Sequence, residues 1–141
     1  MEQFLQFFSQ HPVLFSALGA AVILLILNEM SGLVTGEKRL SPQEAVRLIN
    51  DRHALVLDVR AAADYKKGHI LNALNVPQPK LDERIGELGK DTARPIVVYC
   101  ALGSVAPQAA HTLKKAGYTE VYPIAGGLTN WQSASLPVTT R

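Results

Sequence analysis

Apolar residues follow two different patterns along this chain. Between Gln3 and Asn28 no Asp, Glu, Lys or Arg interrupts a stretch made mostly of Leu, Ile, Val, Ala and Phe. After this stretch, short apolar runs alternate with segments in which apolar residues recur every three or four positions. The first pattern predicts one long apolar helix, and the second predicts a domain in which strands and helices alternate.

The apolar stretch predicts a transmembrane helix over residues 1–30, since about 20 apolar residues cross a bilayer. A cleaved signal peptide is the main alternative, but the first three residues carry no Lys or Arg and no Ala-x-Ala follows the run. A buried core helix is the second alternative, but this segment is apolar all round. Lys38, Arg39 and Arg47 follow it, so the positive-inside rule places the C-terminal side in the cytoplasm.

Residues 31–37 have the composition of a short linker, and residues 38–136 carry the alternating pattern. Ser41 to Glu44 form a capping box that opens a helix. Later segments read as helices at 61–67, 79–88, 107–116 and 128–132, and as strands at 54–57, 74–76, 96–99 and 120–124. This order predicts a three-layer α/β domain around a central parallel sheet, with residues 137–141 as a tail.

The only cysteine, Cys100, directly follows the predicted strand 96–99 and precedes a small loop containing Gly103. Ligands bind beyond the carboxyl ends of parallel strands. Loop N–H groups and the dipole of the next helix favour a thiolate at that place. Cys100 is therefore a candidate nucleophile, and the alternative is a small buried apolar residue.

Charged residues add one candidate. Asp58 and Arg60 follow the predicted strand 54–57; Asp58 suits a structural role, whereas Arg60 could be structural or bind an anion. His69 is predicted to be structural. The net charge of +2 and the lack of a basic run argue against nucleic acid, and the scattered histidines against a metal site. A lone thiol favours a reducing compartment.

Four motifs occur in a specific order and spacing and together resemble the rhodanese (sulfurtransferase) domain over residues 38–136. They are Asp58-Val-Arg60; Asp64-Tyr65-x-x-Gly68-His69-Ile70-x-x-Ala73-x-Asn75-Val76-Pro77; Ile96-Val97-Val98-Tyr99-Cys100-x-x-Gly103; and Gly126-Gly127-x-x-x-Trp131.

The resemblance implies a sulfurtransferase in which Cys100 carries sulfane sulfur as a persulfide, without a metal or organic cofactor. Its partners would be a sulfur donor and an acceptor, each a small molecule or a protein. The resemblance does not cover the apolar helix, which with the basic residues after it predicts a single-pass protein of a bacterial inner membrane whose C-terminal domain is cytoplasmic. Besides Arg60, the residues implied to bind substrate form the loop after the cysteine: Ala101, Leu102, Gly103, Ser104 and Val105.

The loop departs from the family pattern at its end, where many members carry Arg-Ser and this chain has Val105 and Ala106. No Lys or Arg lies between Pro95 and Thr112, so the dianion thiosulfate should bind poorly and a persulfide donor is favoured. Phosphatases of the related fold need an Arg at the position of Ala106 to stabilise the transferring phosphoryl group, so the sequence argues against phosphatase activity. A weakly active module that recruits a partner to the membrane is the alternative function. A sulfenic acid sensor would lack a resolving cysteine within the chain.

Overall fold

The computed structural model of the chain describes residue 1 and residues 6–7, 10–34 and 37–141, with side chains for all of these except residues 29–34. The chain divides into two compact units, Met1–Glu37 and Lys38–Arg141. Each unit is described by itself below.

Among its described residues, the first unit has a long helix, α1, over Pro12–Val34. It extends into the stretch 31–37 predicted as a linker, of which residues 35–36 lie outside the described residues, as do residues 2–5 and 8–9 of the predicted membrane segment. Within the part of the chain that the structure describes, no helix is both long and apolar enough to cross a bilayer. The predicted transmembrane helix is therefore not supported.

The second unit is built around a parallel sheet of four strands, as predicted. The strands are β1 Leu55–Asp58, β2 Leu74–Asn75, β3 Ile96–Tyr99 and β4 Val121–Pro123, and they lie in the order β2-β1-β3-β4. All three pairings are parallel, with Asp58 in register with Tyr99 at the carboxyl ends of β1 and β3. The inner strand β3 is buried along its whole length, which explains its uninterrupted apolar sequence.

Helices cover both faces of the sheet and complete the predicted three layers. One core cluster packs Leu81 and Leu113 against the sheet, and the other packs Ala45, Leu128 and Trp131. The helices of this unit are α2 Pro42–Arg52, α3 Ala62–Lys67, α4 Leu81–Arg84, α5 Ala106–Lys115 and α6 Gly127–Ser133, with 3₁₀ turns at Gln78–Lys80 and Ile85–Leu88.

Two local predictions have different outcomes. The capping box of α2 is confirmed: the Ser41 hydroxyl accepts the Glu44 N–H at 3.2 Å, and the Glu44 carboxylate accepts the Ser41 N–H at 2.8 Å. The single helix predicted over 79–88 is wrong. Arg84 has φ −105° and ψ 9°, which leaves the α region, and the chain tightens into 3₁₀ turns on both sides of α4.

Two isolated pairings tie the outer parts of this unit to its interior. Leu40 pairs with Ile124 in parallel, and His69 pairs with Thr139 in antiparallel orientation through two N–H···O bonds of 2.8 Å. His69 is 2% exposed, with its Nδ1 2.8 Å from the carbonyl oxygen of Tyr65. These contacts agree with the structural role predicted for His69.

Candidate active site at Cys100

Cys100 directly follows β3 and begins the loop at the carboxyl end of this strand. The residue is only 4% exposed, and its Sγ accepts a hydrogen bond from the Gly103 N–H at 3.1 Å. Gly103 has φ +88°, a backbone conformation that favours glycine. The loop therefore curls back on itself so that a main-chain N–H reaches the sulfur. Such a donor stabilises negative charge on sulfur.

A pocket of about 200 Å³ opens at Cys100. Five residues predicted for the site line it together with the cysteine, namely Arg60, Ala101, Leu102, Ser104 and Val105. The sixth, Gly103, is not in the lining and contacts the sulfur through its N–H. Sequence reasoning missed three further lining residues, Val59, Ala61 and Asp64. Two of them flank Arg60 in the chain, so the end of β1 forms one wall.

The pocket is rimmed by apolar side chains that reach solvent. Leu102 is 70% exposed and Val105 is 38% exposed. Arg60 and Asp64 are the charged residues of the lining, and its other members carry no charge. Asp64 also forms an exposed ion pair with Lys67 at 3.2 Å. The pocket is therefore suited to a ligand with little negative charge.

Arg60 is bound by Asp58 rather than directed freely at the pocket. Its Nη2 lies 2.7 Å from the Asp58 carboxylate and donates to the Gly68 carbonyl at 2.7 Å, while Nε lies 3.1 Å from both carboxylate oxygens. The Asp58 side chain is fully buried and that of Arg60 is 10% exposed. The guanidinium carbon lies 5.7 Å from the centre of the Tyr99 ring. The charge of Arg60 is thus largely neutralised inside the protein.

Burial and the ion pair act on the ionisation of these groups. Burial lowers the pKa of Arg60, but the hydrogen bond and negative charge of Asp58 outweigh it, so that this pKa is raised above its usual value. Burial raises the pKa of Tyr99 well above its usual value, and the nearby Asp58 adds to the shift. The Tyr99 hydroxyl accepts the Ile70 N–H at 3.1 Å. Arg60 therefore stays charged and Tyr99 stays neutral.

The first turn of α6 supports the loop from behind, a feature that sequence reasoning missed. The N–H of Leu128 donates to the Cys100 carbonyl at 2.9 Å. The N–H and the hydroxyl of Thr129 both donate to the Ala101 carbonyl at 3.1 Å. The signal in the sequence was Gly126-Gly127: a Cβ at Gly127 would lie 2.4 Å from the Cys100 carbonyl oxygen, so only glycine allows this approach.

Size alone does not single out the Cys100 pocket. A larger cavity, of about 290 Å³, lies beside α2. Its lining contains no cysteine, and its charged side chains are of both signs: Lys38, Glu44, Arg47, Asp51 and Arg52. We assign the candidate site to Cys100 because only that pocket combines a thiol with a main-chain donor.

Comparison with known proteins identifies the class. Residues 41–134 match the model of the rhodanese-like domain. The chain therefore belongs to the rhodanese-like family, in agreement with the resemblance carried by its motifs.

Individual relatives include sulfurtransferases. The chain is 32% identical to the uncharacterized protein YibN of Escherichia coli over 139 residues. This alignment covers 98% of this chain and 97% of that protein. It is 34% identical over 96 residues to thiosulfate sulfurtransferase GlpE of Coxiella burnetii, covering 68% of this chain and 88% of that one. A rhodanese-related protein of Thermoplasma volcanium superposes with a TM-score of 0.64 at 26% identity, over 74% of this chain and 99% of that one.

Proposed function

We propose that this protein is a sulfurtransferase that carries sulfane sulfur as a persulfide on Cys100. The observation that supports this most directly is the thiol at the pocket, with Sγ 3.1 Å from the Gly103 nitrogen. Membership of the rhodanese-like family and similarity to a sulfurtransferase support the same chemistry. The remaining loop residues and Arg60 shape the pocket that receives the donor.

The transfer takes place in two balanced displacements. The Cys100 thiolate attacks the outer sulfur of a donor R–S–SH. A bond forms between Sγ and that sulfur, the bond to the inner sulfur breaks, and R–S⁻ leaves with the electron pair while the proton stays on the outer sulfur. A nucleophilic acceptor then attacks the same outer sulfur, and Cys100 leaves as the thiolate. Neither step requires an external oxidant or reductant.

The favoured donor is a persulfide, of low molecular weight or on a protein, rather than thiosulfate. The charge of Arg60 is compensated by Asp58, and Asp64 adds a carboxylate to the lining. A dianion gains little in such a pocket, whereas a persulfide carries at most one charge at its sulfur. The exposed Leu102 beside the pocket also suits contact with an apolar partner surface.

We also propose that α1 attaches the domain to a membrane, with the domain on the cytoplasmic side. Large apolar side chains of α1 are about half or more exposed, among them Val13, Leu14, Leu18, Ile23, Leu24 and Leu25. Alkaline carbonate extraction tests this: the full chain should stay in the membrane pellet, and an L18E/L25E variant should enter the supernatant. Recovery of the unaltered chain in the supernatant would refute attachment through α1.

Mass spectrometry of the full chain tests the central proposal. After treatment with glutathione persulfide, a gain of about 32 Da should appear on Cys100 and disappear on addition of cyanide. Cys100→Ser should abolish this gain completely while leaving the urea unfolding midpoint close to that of the unaltered protein.

The second candidate function is a weakly active module that recruits a partner, which the exposed Leu102 favours. The same experiment distinguishes the two functions. If Cys100 gains no sulfur from either glutathione persulfide or thiosulfate, the sulfurtransferase proposal is wrong and the recruiting module is favoured.

A further inference from the structure

The supporting turn of α6 contributes one side chain to the loop that carries Cys100. The contacts of Gly127 and Leu128 with the loop are made by the main chain. Thr129 differs, because its hydroxyl donates to the Ala101 carbonyl at 3.1 Å in addition to its own N–H at 3.1 Å. One carbonyl oxygen thus receives two donors from one residue, and it belongs to the residue next to the cysteine.

Holding these carbonyls fixes the direction of the loop N–H groups. In a trans peptide the C=O and the following N–H point in opposite directions. The Cys100 and Ala101 carbonyls point towards α6, so the N–H groups of Ala101 and Leu102 point away from α6. The next N–H, that of Gly103, donates to Sγ. The directions of the Ala101 and Leu102 N–H groups therefore depend on α6, and the peptide between Leu102 and Gly103 connects them to the N–H that donates to the sulfur.

The loop and the start of α6 approach each other so closely that a side chain at either of two glycines would clash. A Cβ at Gly103 would lie 2.9 Å from the nitrogen of Gly126, and one at Gly127 would lie 2.8 Å from the Ala101 carbonyl oxygen. Backbone packs directly on backbone along this contact. The Thr129 side chain lies at its open edge, where the residue is exposed. It can therefore be changed without disturbing the core.

We propose that Thr129 is a positioning residue for sulfur transfer: its hydroxyl keeps the Ala101 peptide oriented so that the loop N–H groups stabilise the sulfur anion of Cys100. This inference rests on the proposed persulfide chemistry. Thr129 acts through the loop and does not itself touch the sulfur.

The chain offers matched variants for the test. Thr129→Val removes the hydroxyl with little change in shape, and Thr129→Ser retains it. Ser133→Ala removes a hydroxyl from the same helix whose bond, 2.9 Å long, goes to the Thr129 carbonyl and not to the loop. All variants are made in the full chain and compared by sulfur loading from glutathione persulfide, by the rate at which iodoacetamide alkylates Cys100, and by urea unfolding.

Thr129→Val should lower the maximal rate of sulfur loading and the alkylation rate by about three- to tenfold, the range expected for one lost hydrogen bond. The KM for the donor and the unfolding midpoint should stay close to the original values. Thr129→Ser should restore both rates, and Ser133→Ala should leave them unchanged.

Two failures can be told apart. If Thr129→Val loads sulfur and is alkylated as fast as the original, the positioning role is wrong while the sulfurtransferase proposal stands. If the original protein gains no sulfur at all, the proposed function fails and the role in transfer fails with it. Equal loss of rate in Thr129→Val and Ser133→Ala would also overturn the inference, because it would indicate a general effect on α6.

Discussion

The ends of β1 and β3 lie side by side at the same edge of the sheet, yet they perform different tasks. β1 ends in Asp58 and is followed closely by Arg60, and these two charges neutralise each other inside the protein. β3 ends at Tyr99 and is followed by Cys100, whose sulfur meets a main-chain N–H beside a pocket. The more highly charged strand end therefore supports the fold, while the nearly uncharged one offers a reactive group.

The largest effect should come from breaking the ion pair at the end of β1. Arg60→Met leaves the fully buried Asp58 carboxylate without its cationic partner, which should lower the free energy of unfolding by about 3–5 kcal/mol. Urea unfolding of the full chain, followed by the fluorescence of the single Trp131, measures the change.

An exposed ion pair provides the control. Arg52 and Glu120 also pair, but their side chains are 50% and 29% exposed, so Arg52→Met should cost at most about 1 kcal/mol. If Arg60→Met costs no more than Arg52→Met, the Asp58–Arg60 pair does not stabilise the fold in the way its burial predicts.

Glycine substitutions test whether the end of β3 depends on its backbone contact with α6. Gly127→Ala places a Cβ 2.4 Å from the Cys100 carbonyl oxygen, which should shift the loop and slow sulfur loading by about 100-fold. Gly117→Ala is a matched control, because Gly117 also has positive φ but its Cβ would meet nothing within 4 Å. It should cost about 1 kcal/mol of stability and leave loading unchanged. Equal loading by the two variants would contradict a loop held by backbone packing.

A new cation tests the donor preference of the pocket. Val105→Arg adds a positive charge to a pocket whose two nearest carboxylates, Asp58 and Asp64, already pair with Arg60 and Lys67, so kcat/KM for thiosulfate should rise by about tenfold, as expected for one charge-assisted hydrogen bond. Val105→Gln provides a neutral side chain of comparable length and should not raise it. A high thiosulfate activity in the original protein, unchanged by Val105→Arg, would show that the pocket already holds a dianion.

Sequence was sufficient for the features that depend on local pattern. Short apolar runs separated by amphipathic segments predicted a parallel sheet with helices on both faces, and the position of Cys100 after a buried strand predicted its place at the sheet edge. The loop residues came from the resemblance to the rhodanese domain, whose active loop directly follows the cysteine. Each of these features depends on residues that are neighbours in the chain.

Features that depend on tertiary contact were not predicted. The sequence left open whether Arg60 was free to bind an anion, because its pairing depends on how the guanidinium folds back on Asp58. The support of Ala101 by Thr129 joins segments 28 residues apart. Nor did the periodicity of residues 79–88 reveal that the chain would leave the α conformation at Arg84.

The N-terminal segment shows another limit. Its uncharged composition predicted a helix, and α1 forms over Pro12–Val34. Composition shows which residues of α1 are apolar, but it does not show whether lipid or protein covers them. Attachment to a membrane therefore stays a proposal.

The isolated pairings of Leu40 and Thr139 have a consequence for the order of folding. They close loops of 84 residues (124 − 40) and 70 residues (139 − 69). Closing long loops costs chain entropy, so these pairings should form after the sheet has assembled. The Trp131 indole donates to the Pro137 carbonyl at 3.0 Å, two residues before Thr139. Docking of the C-terminal residues should therefore be the last step of refolding, and the emission of the single tryptophan, which lies beside them, should report it.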